Sequence, residues 1–204
     1  MPIIQLVNPD LQLSKSVAIV SSSGVLNNRD YANIIDSHDE VIRFNRAPVK
    51  GYEDKVGEKT TVRVVNSHVF QCWSWSRWQS KGQNQYFIRM IKNCKIVCAT
   101  PLIHEFDRCK KLVHSSCSSY LINYNRAGYL NGIELTVGFI IMHLLIGSNI
   151  KPSIFGFAGA PGGEGELALS HYWEHRDNKA YHNYGLENAY IKAFEKEKLI
   201  EWYK

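Results

Sequence analysis

The chain has 204 residues, of which 45% are hydrophobic and 21% charged, close to the average for globular proteins. This composition excludes a disordered, collagen-like or low-complexity protein, and it is sufficient for a hydrophobic core. The length predicts a single domain that spans residues 1–204. The longest apolar stretch, Val137 to Ile146, is interrupted by Gly138 and His143. It is too short to cross a bilayer, so we expect no membrane span.

Lysine and arginine number 24 against 19 acidic residues, which gives a net charge of +5. The basic residues are spread along the chain, which favours a small anionic ligand over a nucleic acid. The five cysteines are odd in number and lack paired spacing, which indicates neither a zinc site nor a disulfide framework. We expect free thiols in a reducing compartment. Residues 1–14 show no secretory signal.

Strand and helix patterns alternate along the chain, which predicts an α/β fold with a parallel-rich central sheet flanked by helices. Short apolar runs predict strands at Ser16–Val20, Val41–Phe44, Thr60–Val65, Lys95–Ala99 and Ser153–Phe157, with a last strand starting at Leu199 and Ile200. Apolar residues fill most positions from Gly138 to Ile146 and predict a buried helix. A second helix is predicted over Leu186–Lys198, with an apolar face of Leu186, Ala189, Tyr190, Ala193 and Phe194.

Small polar residues follow three of the predicted strands. Ser21-Ser22-Ser23-Gly24 follows the first strand, and Asn45 and Asn66 each stand just past a later one. Ligands of open α/β sheets bind outside the carboxyl ends of the strands, so these residues are candidates for binding a phosphate, a ribose or a pyrimidine edge. The alternative is structural, because serine caps helices and asparagine forms turns at strand ends.

Two histidines lie close together after a glycine-rich segment, Ala158–Gly165, that predicts a mobile loop. His171 begins the run His-Tyr-Trp-Glu, and His182 is followed after four residues by Glu187. An imidazole near neutral pH can take a proton from a sugar hydroxyl, and a second one can donate to a leaving phosphate. Solvated histidines or a metal site are the alternatives, although no His-Glu-x-x-His helix supports a metal.

Taken together, these segments resemble the eukaryotic-type sialyltransferases, glycosyltransferase family 29, through four motifs in the family's order. The long motif is similar to the segments Val17–Gly24, Ile35–Asp39, Val41–Pro48 and Val56–Arg63, ending at Asn66-Ser67. The short motif is similar to Leu135–Gly138 and the apolar helix as far as Phe157. The third motif is similar to His171–Glu174, and the very short motif to His182–Glu187.

The resemblance implies a single α/β domain, a Rossmann-like variant of the glycosyltransferase-A fold. It implies transfer of sialic acid from CMP-sialate to a hydroxyl of an acceptor glycan, expected to be a galactoside, with inversion. The partners are then a CMP-sugar donor and a glycan acceptor, and no cofactor or metal ion is expected. The chemistry agrees with this expectation, because protein donors can stabilise a departing monophosphate without Mg²⁺.

The resemblance also implies roles for individual residues. His182 is the implied general base on the acceptor hydroxyl, and His171 is the implied donor to the departing phosphate of CMP. The residues implied in binding the CMP-sugar donor are Ser22, Ser23, Asn45, Asn66, Thr136, Gly138, Tyr172 and Tyr181.

Three positions depart from the family pattern. Val17 stands where the long motif usually has a cysteine, and Ser148-Asn149 stands where its disulfide partner falls. Family members are usually found in the Golgi lumen, but without this disulfide or an N-terminal anchor we expect a cytoplasmic or otherwise soluble viral or microbial protein, or a truncated one. Val137 replaces a family hydroxyl in the donor pocket.

Two other functions stay open. Val137 leaves room for a transferase that uses CMP-Kdo or a related keto-acid sugar. An inactive CMP-binding or glycan-binding module is the alternative from another class, although the presence of both histidines speaks against it. Three tryptophans, Trp73, Trp75 and Trp78, are candidates for stacking on acceptor sugars or for core and oligomer contacts.

Overall fold

A computed structural model describes residues 4–6, 12–66, 94–100, 119–124, 135–157, 171–173 and 184–204. Its strands form one sheet of eight with the order β1-β6-β5-β4-β3-β2-β7-β8. The strands are β1 Ile4–Leu6, β2 Val17–Val20, β3 Glu40–Phe44, β4 Val62–Asn66, β5 Lys95–Thr100, β6 Ser119–Tyr124, β7 Ser153–Phe155 and β8 Glu201–Tyr203. All strands from β2 to β8 run parallel, and β1 pairs antiparallel with β6 at one edge. The predicted α/β class is confirmed.

The strand order reverses direction between β2 and β7. From β2 the sheet grows through β3 and β4 on one side, whereas β7 and β8 lie on the other side. Such a switch point opens a crevice at the carboxyl ends of the strands, because the connections leave it in opposite directions. The carboxyl ends of β2, β3, β4 and β7 are therefore the expected place for a ligand.

Two apolar cores cover the two faces of the sheet, because successive strand residues point to opposite sides. On β2, Val17 and Ile19 face one core, and Ala18 and Val20 face the other. The first core is covered by two helices, α3 Val137–Gly147 and α4 Tyr184–Lys196. The second is covered by the 3₁₀ helix Gly24–Asn28, α1 Ala32–Ser37 and α2 Glu53–Val56.

The predicted helix from Gly138 to Ile146 is confirmed as α3, and the second predicted helix as α4, which begins two residues earlier than expected. The predicted apolar face of α4 is confirmed at Phe194, which packs against the first core, and is wrong at three other positions. Glu187 and Ile191 are the buried residues of this helix, whereas Ala189, Tyr190 and Ala193 are exposed. The helix is rotated because the Glu187 carboxylate has partners inside the protein, described below.

All six predicted strands lie at or near observed strands, and two of their boundaries need correction. β7 ends at Phe155 because Gly156 turns the chain with a φ of 77°. The last strand begins at Glu201, two residues later than expected. The sequence did not predict β1, β6 or the short helices before β4. No helix in the described ranges is long and apolar enough to cross a membrane, and the single domain stays a prediction.

Candidate functional site

The three serines after β2 form the turn at the switch point. Ser21 Oγ donates to the carbonyl oxygen of Gly156 at 2.6 Å and accepts from the Ser23 N–H at 3.1 Å, so this hydroxyl joins the turns after β2 and β7. Ser23 caps the 3₁₀ helix, with Oγ accepting from the Val25 N–H at 3.4 Å. Two hydroxyls thus shape the turn, and Ser22 contributes the third at its centre.

Asn45 and Asn66 lie at the carboxyl ends of the neighbouring strands β3 and β4. Asn45 adopts a left-handed φ of 46°, and its Oδ1 accepts from the Asn66 N–H at 3.0 Å. The Asn45 N–H donates to the carbonyl of Val64 at 2.7 Å. The left-handed turn and the side-chain bond bring the two predicted nucleotide-binding residues together.

The N-terminus of α3 is held by a buried carboxylate. Thr136 caps this helix, with Oγ1 accepting from the Phe139 N–H at 3.2 Å. Glu187 of α4 accepts from the Thr136 N–H at 2.5 Å and from its hydroxyl at 2.8 Å. The single hydroxyl proton of Thr136 is therefore directed at Glu187, and toward a ligand this hydroxyl offers only an acceptor.

Gly138, the other predicted donor-site residue of α3, packs closely against aromatic rings. A Cβ at Gly138 would lie 3.1 Å from the ring of Phe157 and 3.7 Å from that of Phe44. Phe44 ends β3, and Phe157 follows β7. The absence of a side chain therefore lets the start of α3 approach the carboxyl edge of the sheet.

Residues 171–173 contact the serine turn through a backbone hydrogen bond. The Tyr172 N–H donates to the Ser22 carbonyl at 3.0 Å, and Tyr172 is buried, with a relative exposure of 4%. His171, the implied phosphate donor, is half-buried and stacks on Trp173 with ring centroids 4.5 Å apart. The backbone that follows His171 thus lies beside Ser22. A site formed by both residues requires this arrangement.

Two buried arginines stabilise the carboxyl edge of the sheet. Their burial was not predicted from the sequence. Arg43 and Arg63 pair in register on β3 and β4, and each is 1% exposed. Arg63 Nη1 donates to the carbonyl of Ala47 at 2.8 Å in the turn after Asn45. Arg43 Nη2 donates to the carbonyl of Val56 at 2.5 Å. Burial lowers the pKa of Arg43 to about 10.

Tyr181 and His182 lie outside the described residues, as do the three tryptophans and the segment Ala158–Gly165. Their roles stay predictions. Within the ranges that the structure describes, no three or more His, Cys, Asp or Glu side chains form a group that could hold a metal ion.

The fold and this polar edge define the class as a doubly wound α/β protein with its ligand site at the sheet's carboxyl ends. The model of glycosyltransferase family 29 (sialyltransferase) matches residues 5–106, half of the chain, and the chain belongs to this family. The match includes the serine turn and both asparagines, and the resemblance predicted from the four motifs is confirmed.

Curated relatives match a short part of the chain. The beta-galactoside alpha-2,6-sialyltransferase 2 of Rattus norvegicus is 53% identical over 55 residues, which is 27% of this chain and 10% of the rat protein. The protein of the same name from Danio rerio is 45% identical over 69 residues, which is 34% of this chain and 13% of that protein. The matches thus span little more than a tenth of these relatives.

Solved structures share the fold over most of the chain. A mammalian sialyltransferase, crystallised with Gal-beta-1-3GalNAc-ortho-nitrophenol, has a TM-score of 0.60 at 20% identity. The match covers 92% of this chain and 68% of that one. The alpha-2,3-sialyltransferase Cst-I of Campylobacter jejuni has a TM-score of 0.57 at 16% identity, over 96% of this chain and 78% of that one. At these identities the likeness concerns the fold alone.

Proposed function

We propose that this protein transfers sialic acid from CMP-sialate to a hydroxyl of a galactoside, with inversion and without a metal ion. Its membership of a sialyltransferase family supports sialyl transfer, and the names of its relatives support a galactoside acceptor. The observation that carries the proposal is the placement of Ser22, Asn45 and Asn66 at the carboxyl ends of three adjacent parallel strands.

The spacing of this edge suits a nucleoside monophosphate. Neighbouring strands are about 4.8 Å apart, so the ends of β2 and β4 are separated by roughly 10 Å. The Ser22 hydroxyl lies in the turn at the switch point and is the proposed phosphate contact. Asn45 uses Oδ1 for the Asn66 N–H, and its amide group still carries two N–H donors, which suit a cytosine or ribose oxygen.

The proposed reaction needs one base and one acid. The acceptor oxygen bonds to the anomeric carbon of sialic acid as the bond from that carbon to the CMP phosphate oxygen breaks. His182 takes the proton of the acceptor hydroxyl, and His171 donates a proton to the departing phosphate oxygen. The contact between Tyr172 and Ser22 supports a location of His171 beside the phosphate.

The proposal is tested by measuring CMP release in EDTA with and without a panel of galactosides. We expect release from CMP-sialate that increases with the acceptor and yields a sialylated product. Faster CMP release from CMP-Kdo than from CMP-sialate would show that the protein uses a Kdo-type donor. CMP binding with no turnover of either donor would contradict enzymatic function and indicate a binding module.

The role of His182 has its own test. We expect His182→Ala to lower kcat by about 10² or more while CMP binding is retained, because general-base catalysis contributes about that factor. His38→Ala is the matched control. His38 follows the last residue of α1, and its Nδ1 lies 2.8 Å from the Ile34 carbonyl of that helix, so turnover should be unchanged. Equal turnover of the His182 variant and the control would remove the assignment.

A further inference from the structure

Tyr172 is held by three hydrogen bonds and one ring contact, which join it to separate segments near the carboxyl ends of β2 and β3. Its N–H donates to the Ser22 carbonyl at 3.0 Å, and its carbonyl accepts from Asn27 Nδ2 at 3.1 Å. The phenol hydroxyl donates to the Pro48 carbonyl, in the loop that follows β3. Its ring packs edge-on against Tyr52, with centroids 5.1 Å apart.

These contacts restrict the position of His171, the residue that precedes Tyr172. The two hydrogen bonds hold the N–H and the carbonyl of Tyr172, and the buried ring restricts the side chain. His171 is joined directly to this peptide, so its Cα has a set position relative to the serine turn. A misplacement of about 1 Å can reduce a reaction rate by about 10².

Among the described residues, the Asn27 side chain makes one hydrogen bond, and its acceptor is the Tyr172 carbonyl. Asn27 belongs to the 3₁₀ helix, is half-buried, and uses its side-chain amide to bond a residue 145 positions away in sequence. A polar group removed from water costs free energy unless it is hydrogen-bonded, and this bond pairs one N–H of the Asn27 amide with the Tyr172 carbonyl.

We propose that Asn27 is a positioning residue that, through Tyr172, holds His171 at the distance from the serine turn that protonation of the departing phosphate requires. The inference rests on the proposed function, because it concerns the residue assigned there as the acid. It also assigns Tyr172 to anchoring rather than to contact with the donor, since its side chain is buried and its hydroxyl is used by Pro48.

The chain provides a matched control for this inference. Asn28 is the next residue of the same 3₁₀ helix and is exposed, and among the described residues its one hydrogen bond is made by its carbonyl, which accepts from the Arg29 side chain. Replacement of Asn28 by alanine removes the same side chain from the same helix without affecting Tyr172. Asn27→Asp adds a second comparison, because an ionised carboxylate keeps the shape but cannot donate to the Tyr172 carbonyl.

The experiment measures kcat and KM for CMP-sialate, the dissociation constant of CMP and the melting temperature of each variant. We expect Asn27→Ala and Asn27→Asp to lower kcat about tenfold to hundredfold, with CMP affinity within about threefold of wild type. Asn28→Ala should match wild type in all three quantities. If a substitution acted only by destabilising the fold, the melting temperature would fall, and kcat would not decrease separately from CMP affinity.

Tyr172→Phe tests the same anchor through a different contact, and it covers the case in which an Asn27 variant does not fold. It removes only the bond to Pro48 and should show the same loss of kcat with CMP binding retained. Turnover of both the Asn27 and the Tyr172 variants within about twofold of the Asn28 control would overturn the inference while the wild-type activity stands. A wild type that turns over no donor would overturn the proposed function and the positioning role together.

Discussion

Gly156 occupies a backbone conformation that other residues rarely adopt, and it also lies against the serine turn. Its φ is 77°, and a Cβ there would lie 2.5 Å from Ser21 Oγ and 2.9 Å from Leu26 Cγ. We expect Gly156→Ala to lower the free energy of unfolding by about 2–4 kcal/mol, because left-handed strain adds to forced displacement of packed atoms. Urea denaturation measures the loss.

Gly147 is the control for that substitution. It ends α3 with an ordinary φ, and a Cβ there would meet no atom within 4 Å. Gly147→Ala should leave stability unchanged or raise it by up to about 1 kcal/mol, because alanine is the better helix former. Equal losses for the two variants would show that the Gly156 turn is not special.

We expect His143 of α3 to make folding stability dependent on pH. It lies beside the rings of Phe139 and Phe194, and its partial burial lowers its pKa below the ordinary value. The unfolded chain therefore binds more protons than the folded one as the pH falls below about 6.5. The contribution of His143 is intact above that pH and is lost as the pH falls through the lowered pKa.

We expect His143→Gln to remove this dependence. Urea midpoints measured from pH 7.5 to 5 should fall less steeply for the variant than for wild type, because glutamine takes up no proton. Parallel curves for the two proteins would contradict the assignment to His143.

Single residues also mark the limit of prediction from sequence. The pattern of Val41–Phe44 predicted a strand correctly, but nothing in it distinguishes a buried Arg43 from a solvent-facing one. The guanidinium is buried because backbone carbonyls and Thr60 Oγ1 accept its hydrogen bonds, and those acceptors come together only in the folded chain. The same holds for Asn27, whose partner is 145 residues away.

At the scale of elements, the contact between Thr136 and Glu187 joins the N-terminus of α3 to the first turn of α4. Hydrogen bonds to charged groups are worth about 1.5–3 kcal/mol when buried. We expect Thr136→Val and Glu187→Gln each to lower the free energy of unfolding by about 2 kcal/mol, with a coupling of about 1–3 kcal/mol between them. Denaturation of the four proteins of this cycle measures the coupling.

Glu195 provides the control on the same helix. Its carboxylate pairs with Lys204 at 2.9 Å, where the lysine is exposed and the glutamate partly exposed, so Glu195→Gln should change stability by less than about 1 kcal/mol. In the double-mutant cycle, additive losses of unfolding free energy for Thr136→Val and Glu187→Gln would contradict a coupling between these two side chains.

The same contact explains why the orientation of α4 was not predicted. The pattern from Leu186 to Phe194 favours burial of the apolar positions, since a carboxylate is normally solvated. Glu187 is instead 4% exposed, because the end of another helix supplies its donors. Boundaries shifted for a similar reason, since β7 ends where Gly156 bonds to the serine turn.

At the scale of the whole molecule, the parallel sheet could be predicted because short, mostly apolar strand patterns alternate with helix patterns along the chain. The order of the strands could not be read from these runs, since the reversal between β2 and β7 depends on how the connections cross. The edge strand β1 has three residues, too few for a pattern. The polar residues at the carboxyl edge were predicted, whereas the arginines and Asn27 that support them depend on long-range packing.

The central claim is that the edge formed by Ser22, Asn45 and Asn66 binds CMP. Isothermal titration of CMP into the protein in EDTA tests it most directly, with AMP as the purine control. The account predicts saturable binding of one CMP per chain without a metal ion, and much weaker binding of AMP. An absence of binding, or equal binding of the two nucleotides, would contradict it.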